Sequence, residues 1–411
     1  MYEDFNQNNK RFLLLFFKKE GLYFPFGRNA MLMPSRFRLA ALALIASVVF
    51  AAPLRAEDAY TMGMSVGLTG YAATVDRAWR DGAALAVETL NAKGGVLGHM
   101  IALTVEDNHS EPQDAVTAYR KMLSSDGAQV FVSGCVSAGN FAAAGLLVRA
   151  QVPMMLCSIL PQQTEQLKWA FSTLPPARFE VETRLAYLRD KTQIRKVAVL
   201  YDPTPYANLQ KTVAEKIATT YGIEVVASEQ YKQDDADLSV QLSKMQAAGA
   251  GAVLKIGLGG TTLTAAKNLK QLGSNMLLLT SLEDLAVFRP VADVLGDHFF
   301  FVASPSQIYD ALPQSALKSE IARFIAPWHA KYGDRDPNWA SRGWDGVMLV
   351  AAAATKAKAL DGAAVRAALE TITGFQGTTG VYDFAPTNHQ GITGNPFVLA
   401  TIHNGAVVVA E

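Results

Sequence analysis

Between residues 61 and 303 this chain changes its hydrophobic period again and again, and that alternation constrains its fold more than any other feature. "TMGMSVGLTG", "HMIALTVEDN", "AQVFVSGCV" and "VPMMLCSI" are short aliphatic runs that read as strands. Between them lie "DRAWRDGAALAVETLNAKGG", "PQDAVTAYRKMLSS" and "SAGNFAAAGLLVRAQ", whose apolar residues recur at helical spacing. Strands alternating with helices of this length predict a parallel sheet covered on both faces. The pattern restarts at "RKVAVLYD" and runs through "IEVVASEQY", "GAVLKIGL", "NMLLLTS" and "DHFFFVAS" with helical stretches between. The reading is a pair of α/β units joined near "TLPPARFE", residues 173–180. Residues 313–371 read as mostly helical, with "WDGVMLVAAAATKAKAL" the clearest helix. The tail reads as short strands turning at Asn404-Gly405, a hairpin signal.

Ligands of open parallel sheets bind beyond the carboxyl ends of the strands. Ser137 and Ser158 stand at such ends, on strands expected to be neighbours, so they mark a site before any chemistry is assigned. "VSGCVSAGN" approaches the G-x-S-x-G nucleophile elbow, but Gly134 to Gly139 is one residue too long. A hydrolase would also need a base near Ser137. The six histidines, His99, His109, His298, His329, His389 and His403, are scattered and form no metal pair or recognisable catalytic motif. "GLGGTT" at 257–262 lacks the lysine of a phosphate loop and the spacing of a dinucleotide fingerprint. The sequence therefore implies no cofactor and no metal, and an exported serine hydrolase using Ser137 is the alternative from another class.

Residues 36–56, "RFRLAALALIASVVFAAPLRA", open with two arginines, Arg36 and Arg38, followed by an apolar run and a small terminal residue, the pattern of a secretory signal cut after Ala56. The apolar run is shorter than the roughly 20 residues of a membrane-spanning helix. Met31 and Met33 both supply starts for such a signal, so 31–56 is read as the signal peptide and 1–30 as an extension from a start codon placed too early. The chain has 37 basic and 37 acidic residues; the first 56 hold eight of the former and three of the latter, leaving 29 against 34. That slightly acidic balance, without a basic run, argues against nucleic acid or an anionic membrane as partner. Two cysteines, Cys135 and Cys157, are too few for a disulfide scaffold and lack metal-site spacing. They read as two partly buried thiols, with a single disulfide left open because geometry is not legible in sequence.

Several stretches together resemble one family. "GLTG", "DGAALAVETLNAKGGVLG", "VEDNHSEPQDAVTAYRKM", "VFVSGCVSAGNFAAAGLL" and "KVAVLYDPTPYANLQKTVAEKI" are similar to the leucine/isoleucine/valine-binding proteins of bacteria. These are periplasmic substrate-binding components of the branched-chain amino-acid type of ABC importer. The resemblance implies a type I periplasmic binding protein: an α/β fold of two Rossmann-like lobes with parallel sheets, joined by a three-segment hinge. The N-terminal lobe would take residues 57–176 plus 308–372 and the C-terminal lobe 180–304 plus 385–411, with crossovers at 177–179, 305–307 and 373–384. A small organic solute, an amino acid or organic acid, would lie in the interlobe cleft of a periplasmic monomer that serves an ABC permease complex in the inner membrane.

The resemblance also implies a site. Ser137, with Ala138 beside it at a helix start, matches the serine that binds an amino-acid carboxylate, and a helix N-terminus suits that charge. Ser158 and Leu160 align with a backbone carbonyl and a threonine hydroxyl; Leu160 cannot donate, and Thr164 is the next hydroxyl along. Tyr206 in "DPTPYA" matches an aromatic residue that closes over the ligand, and Leu258 stands where the family has a tyrosine. Glu283 or Asp284 lies one or two residues from the acidic position that pairs with an ammonium. Tyr71 and Trp79 flank the first loop, where the family lines its cleft, although Trp79 suits helix packing equally well. The family's usual small disulfide is absent, its positions being Ser110 and Val136. The implied ligand is a branched-chain or other apolar amino acid; an amine-free carboxylate, such as an aromatic acid, is the alternative.

Overall fold

The computed structural model describes residues 59–161 and 164–410. The extension at 1–30 and the signal at 31–56 lie outside the described residues. Two sheets carry the fold. The first is built from β1 (Tyr60–Val66), β2 (Ile101–Asp107), β3 (Val130–Ser133), β4 (Met154–Leu156) and β5 (Ala170–Ser172), in the order β2-β1-β3-β4-β5. All four pairings are parallel. Burial on both faces suits the aliphatic run of β1, in which all residues but Thr61 are buried. Helices α1 (Ala73–Asn91), α2 (Pro112–Ser124) and α3 (Ser137–Ala150) form the crossovers.

Helix α4 (Ala177–Lys191) leads into the second sheet, which holds β6 (Lys196–Tyr201), β7 (Glu224–Gln230), β8 (Ala252–Ile256), β9 (Leu277–Thr280) and β10 (Phe299–Ala303). The intervening helices are α5 (Pro205–Ile217), α6 (Ser239–Ala247), α7 (Thr261–Gln271) and α8 (Leu285–Leu295). The chain then forms α9 (Ala316–Tyr332), α10 (Asn338–Ala357) and α11 (Gly362–Leu369), followed by the small pair β11 (Phe375–Gln376) and β12 (Val381–Tyr382). It ends with β13 (Val398–His403) and β14 (Ala406–Val409), which complete the second sheet in the order β14-β13-β10-β9-β8-β6-β7. The two last strands are antiparallel and turn at Asn404 and Gly405, with φ of 51° and 78°.

The late helices return to the first lobe. α10 crosses α1 at a seam of small residues: a Cβ on Gly82 would lie 1.8 Å from the Ala340 carbonyl oxygen, and one on Gly343 would lie 2.1 Å from that of Trp79. Glycine at both positions lets the two backbones touch, and the indole of Trp79, fully buried, fills the space beside them. No helix among the described residues is long and apolar enough to cross a membrane.

Cys135 and Cys157 form a disulfide, so the free-thiol reading of the sequence is replaced. The bond joins the segments that leave the paired strands β3 and β4. Parallel pairing in register brings the two residues together, which their separation of 22 residues does not reveal.

Candidate functional site

In each sheet the strand order reverses once, between β1 and β3 in the first and between β6 and β8 in the second. Neighbouring crossovers there run to opposite faces and leave a crevice at the strand ends. A cavity with about 370 Å³ of atom-free space, mouth included, lies where these ends meet. The first lobe supplies Tyr71 after β1, Cys135 and Ser137 after β3, and Cys157 after β4. The second lobe supplies Asp202, Thr204 and Tyr206 after β6 and Leu258 after β8. Leu174, beyond β5, and Trp339, in the first turn of α10, complete the wall.

The polar end in the first lobe is the start of α3. Its cap residue is Val136, which offers no side-chain acceptor to the first N–H groups of the helix. Ser137 Oγ donates to Ser158 Oγ at 3.1 Å, and Asn140 Nδ2 reaches the same oxygen at 3.0 Å. Asn140 is held in turn by the hydroxyl of Tyr119 at 2.7 Å. With both bonds accepted, the Ser158 hydroxyl keeps its own proton to donate. Behind this corner the buried carboxylate of Asp76 accepts the N–H groups of Gly67 and Cys135, both at 2.6 Å, tying together the loops after β1 and β3. Burial pushes the Asp76 carboxyl up to about 7 despite those two donors.

The charged end belongs to the second lobe. Asp202 lines the cavity, and its Oδ1 accepts the Thr204 N–H at 3.0 Å. Among the described residues its Oδ2 has only Gln233 Nε2, at a long 3.4 Å, as a hydrogen-bond donor. Gly257, with φ of +125°, makes room for that oxygen: a Cβ there would lie 2.3 Å from Asp202 Oδ2. Below it Lys255 is fully buried and donates to the Gly257 carbonyl at 3.0 Å. Burial pulls the lysine down, opposed by the charges of Asp202 and Glu283. Tyr206 gives its hydroxyl to both oxygens of Glu180, at 3.0 and 3.1 Å, and so turns a ring rather than a donor toward the cavity.

The sequence-derived residues therefore divide. Ser137, Tyr206, Leu258 and Tyr71 line one cavity, and Ser158 is bonded directly to Ser137. Ala138 follows Ser137 in the first turn of α3. Leu160 packs against the apolar cluster under α3 and β4, and its N–H goes to Gln390 Oε1 at 2.7 Å. Thr164 is exposed. Glu283 and Asp284 do not line the cavity: Glu283 accepts the N–H groups of Gly259 and Asp284, and Asp284 caps α8 through the Ala286 N–H. Trp79 is in the core against α10, and the tryptophan on the cavity is Trp339. Its Nε1–H finds no acceptor among the described residues.

There is no histidine among the described residues that line the cavity with Ser137, and the Ser137 hydroxyl is given to Ser158 Oγ. Among the described residues no group of three or more His, Cys, Asp or Glu side chains is placed to hold a metal.

The sequence model of the periplasmic binding protein family matches residues 59–406. A Leu/Ile/Val-binding protein homolog of Brucella suis is 24% identical over 347 residues, 81% of this chain and 86% of its own length. The fold is shared with the branched-chain amino acid transporter substrate binding protein LivJ of Streptococcus pneumoniae, solved with isoleucine (TM-score 0.73, 22% identity, 86% of this chain and 99% of that one). It is also shared with a fatty acid ABC transporter substrate-binding protein of Thermomonospora curvata (TM-score 0.71, 19% identity, 86% and 92%). These relatives hold solutes and are not enzymes. With two wound sheets facing each other across the cavity, the chain belongs to the periplasmic binding protein family, in its Leu/Ile/Val-binding type.

Proposed function

We propose that this protein captures an apolar, branched-chain-type amino acid between its lobes in the periplasm and delivers it, as a monomer, to an ABC permease in the inner membrane. The observation that carries the reading is the opposition of two polar ends across an apolar slot. The uncapped start of α3, with the Ser137 and Ser158 hydroxyls, suits a carboxylate, and Asp202 Oδ2 on the other lobe suits an ammonium. Leu174, Leu258, Trp339 and the disulfide supply the apolar wall for a side chain between them. A solute that touches both lobes binds the closed arrangement better than the open one, which is how it drives closure. Asp202 here takes the ammonium role that the resemblance gave to Glu283 or Asp284.

A second reading is favoured by Leu258, which puts an apolar side chain where the family has a tyrosine. It keeps the carboxylate corner and takes an amine-free acid, the class named for the Thermomonospora curvata neighbour. Thermal unfolding of the full chain against leucine, isoleucine, valine and phenylalanine, beside hexanoate and benzoate, separates the two. Ligand that binds only the folded state raises the melting temperature with concentration. A rise with the amino acids alone supports the first reading, and a rise with the acids alone supports the second. No rise with any of them rejects both.

A further inference from the structure

The disulfide is not a remote staple. Cys135 stands two residues before Ser137 and Cys157 immediately before Ser158, and both cysteines line the cavity. The two serines are the hydroxyls that meet at 3.1 Å to form the carboxylate corner. On one side of the bond the Cys135 N–H is anchored to Asp76 Oδ1 at 2.6 Å, and on the other the Cys157 N–H is bonded to the Ser133 carbonyl at 3.0 Å. The Cys157 bond already reaches across to the end of β3, Cys135 is anchored to α1 through Asp76, and the covalent bond adds a second link between the two strand ends, just beyond the last backbone bond.

From this arrangement we infer that the Cys135–Cys157 disulfide is a positioning element of the solute site, setting the approach of Ser137 to Ser158 and walling the cavity beside them. The inference rests on the proposed site but not on which solute fills it. β3 and β4 share only three paired positions, Phe131 with Met154, Val132 with Met155 and Ser133 with Leu156. So short a ladder holds the segments beyond it loosely, and their ends are where exchange with solvent begins. Without the bond, Ser137 and Ser158 keep their own hydrogen bond, the bridge through Asn140 and, one residue back, the Cys157 N–H to Ser133 carbonyl bond, none of them covalent. A site whose donors are held in place loses little ordering entropy on binding, and a loosened one loses more.

The test compares the full chain in three forms: oxidised, Cys135→Ala/Cys157→Ala, and wild type reduced with tris(2-carboxyethyl)phosphine. That reagent delivers two electrons to the S–S bond, leaving two thiols and a phosphine oxide whose oxygen comes from water. Amide hydrogen exchange is read without solute, and leucine affinity is read by calorimetry. The expected result is exchange at least about tenfold faster at 137–140 and 157–159, with amides of 252–256 in the second lobe unchanged, and leucine bound about tenfold more weakly. Unchanged exchange at the two serine segments overturns the inference. So does faster exchange throughout, which makes the bond a general staple. If leucine binds no form while the serine segments alone loosen, the amino-acid reading falls and the positioning role stands. The reduced wild type keeps the test valid if the double variant does not fold.

Discussion

Asp336, just ahead of α10 in the first lobe, accepts the backbone N–H of Leu285, the first residue of α8 in the second, at 2.7 Å. The same oxygen accepts Gln307 Nε2 at 2.9 Å, and Asn338 Nδ2 reaches the Glu283 carbonyl at 3.2 Å. One carboxylate thus caps a helix of the other lobe. Its other oxygen accepts the Asn338 N–H at 2.9 Å. Replacing it by alanine leaves the buried N–H groups of Leu285 and Asn338 without this acceptor, while Gln307 keeps the Glu283 carbonyl at 3.3 Å, a loss of about 1–3 kcal/mol. Asp336→Ala is expected to lower the unfolding free energy by that amount, read as a lower urea midpoint at unchanged m, with Asp336→Asn, which keeps one acceptor oxygen, falling between it and wild type. Equal midpoints for all three would show that the cap contributes nothing.

Ser137→Ala and Ser158→Ala are each expected to weaken solute binding. A hydrogen bond to a charged group is worth about 1.5–3 kcal/mol, or roughly 10- to 150-fold in affinity. Because Ser137 also donates to Ser158, the two losses should not add, and a double-mutant cycle read by calorimetry measures the coupling. Strict additivity would mean that the solute does not use this pair together.

Asp202→Asn distinguishes the solute classes. An asparagine keeps an oxygen for the Thr204 N–H but loses the negative charge that faces the cavity. Amino-acid affinity is expected to fall at least about tenfold, while affinity for an amine-free acid of the same length holds or rises. Equal losses for both kinds would remove Asp202 from ammonium recognition.

Acid should stabilise this protein. Burial raises Asp76 from 3.8 to about 7 and Asp345 to about 6, and raises Asp336 and Glu283 as well. A carboxyl raised in the folded state binds its proton more tightly folded than unfolded. Stability is therefore full below about pH 4 for these groups and is lost as pH rises through 6 and 7. The melting temperature should fall by at least about 4 °C between pH 5 and pH 8. A flat profile would mean that water reaches these carboxyls.

The alternation of period was enough to read two wound sheets, and the strand-end rule alone marked Ser137 and Ser158. Other features turn on pairings across distance. Trp79 is four residues after Val75 and three before Gly82, on a helical face that the structure turns to α10, so its burial was written in the period. Asp202 directly follows β6, four residues before Tyr206, and is open to the same strand-end rule. The fate of Glu283 was not legible, because nothing local shows that its oxygens go to the backbone of Gly259 and Asp284. Strand β5 is three residues long, too short for periodicity to register. The disulfide depends on register between β3 and β4, which one sequence does not state.

The seam between α1 and α10 has a bearing on how the molecule is made. Gly82 and Ala340 touch across more than half the length of the chain, and the first lobe cannot cover one side of its sheet until that late helix has been synthesised. Native contacts of such long sequence separation slow folding. A ribosome-bound fragment ending before residue 338 would carry all of the first sheet and β6 to β10 of the second, without β13 and β14, and would leave the faces of α1 and β3 bare. The nascent chain thus stays unfinished, and open to whatever handles unfolded chains, until α10 has emerged.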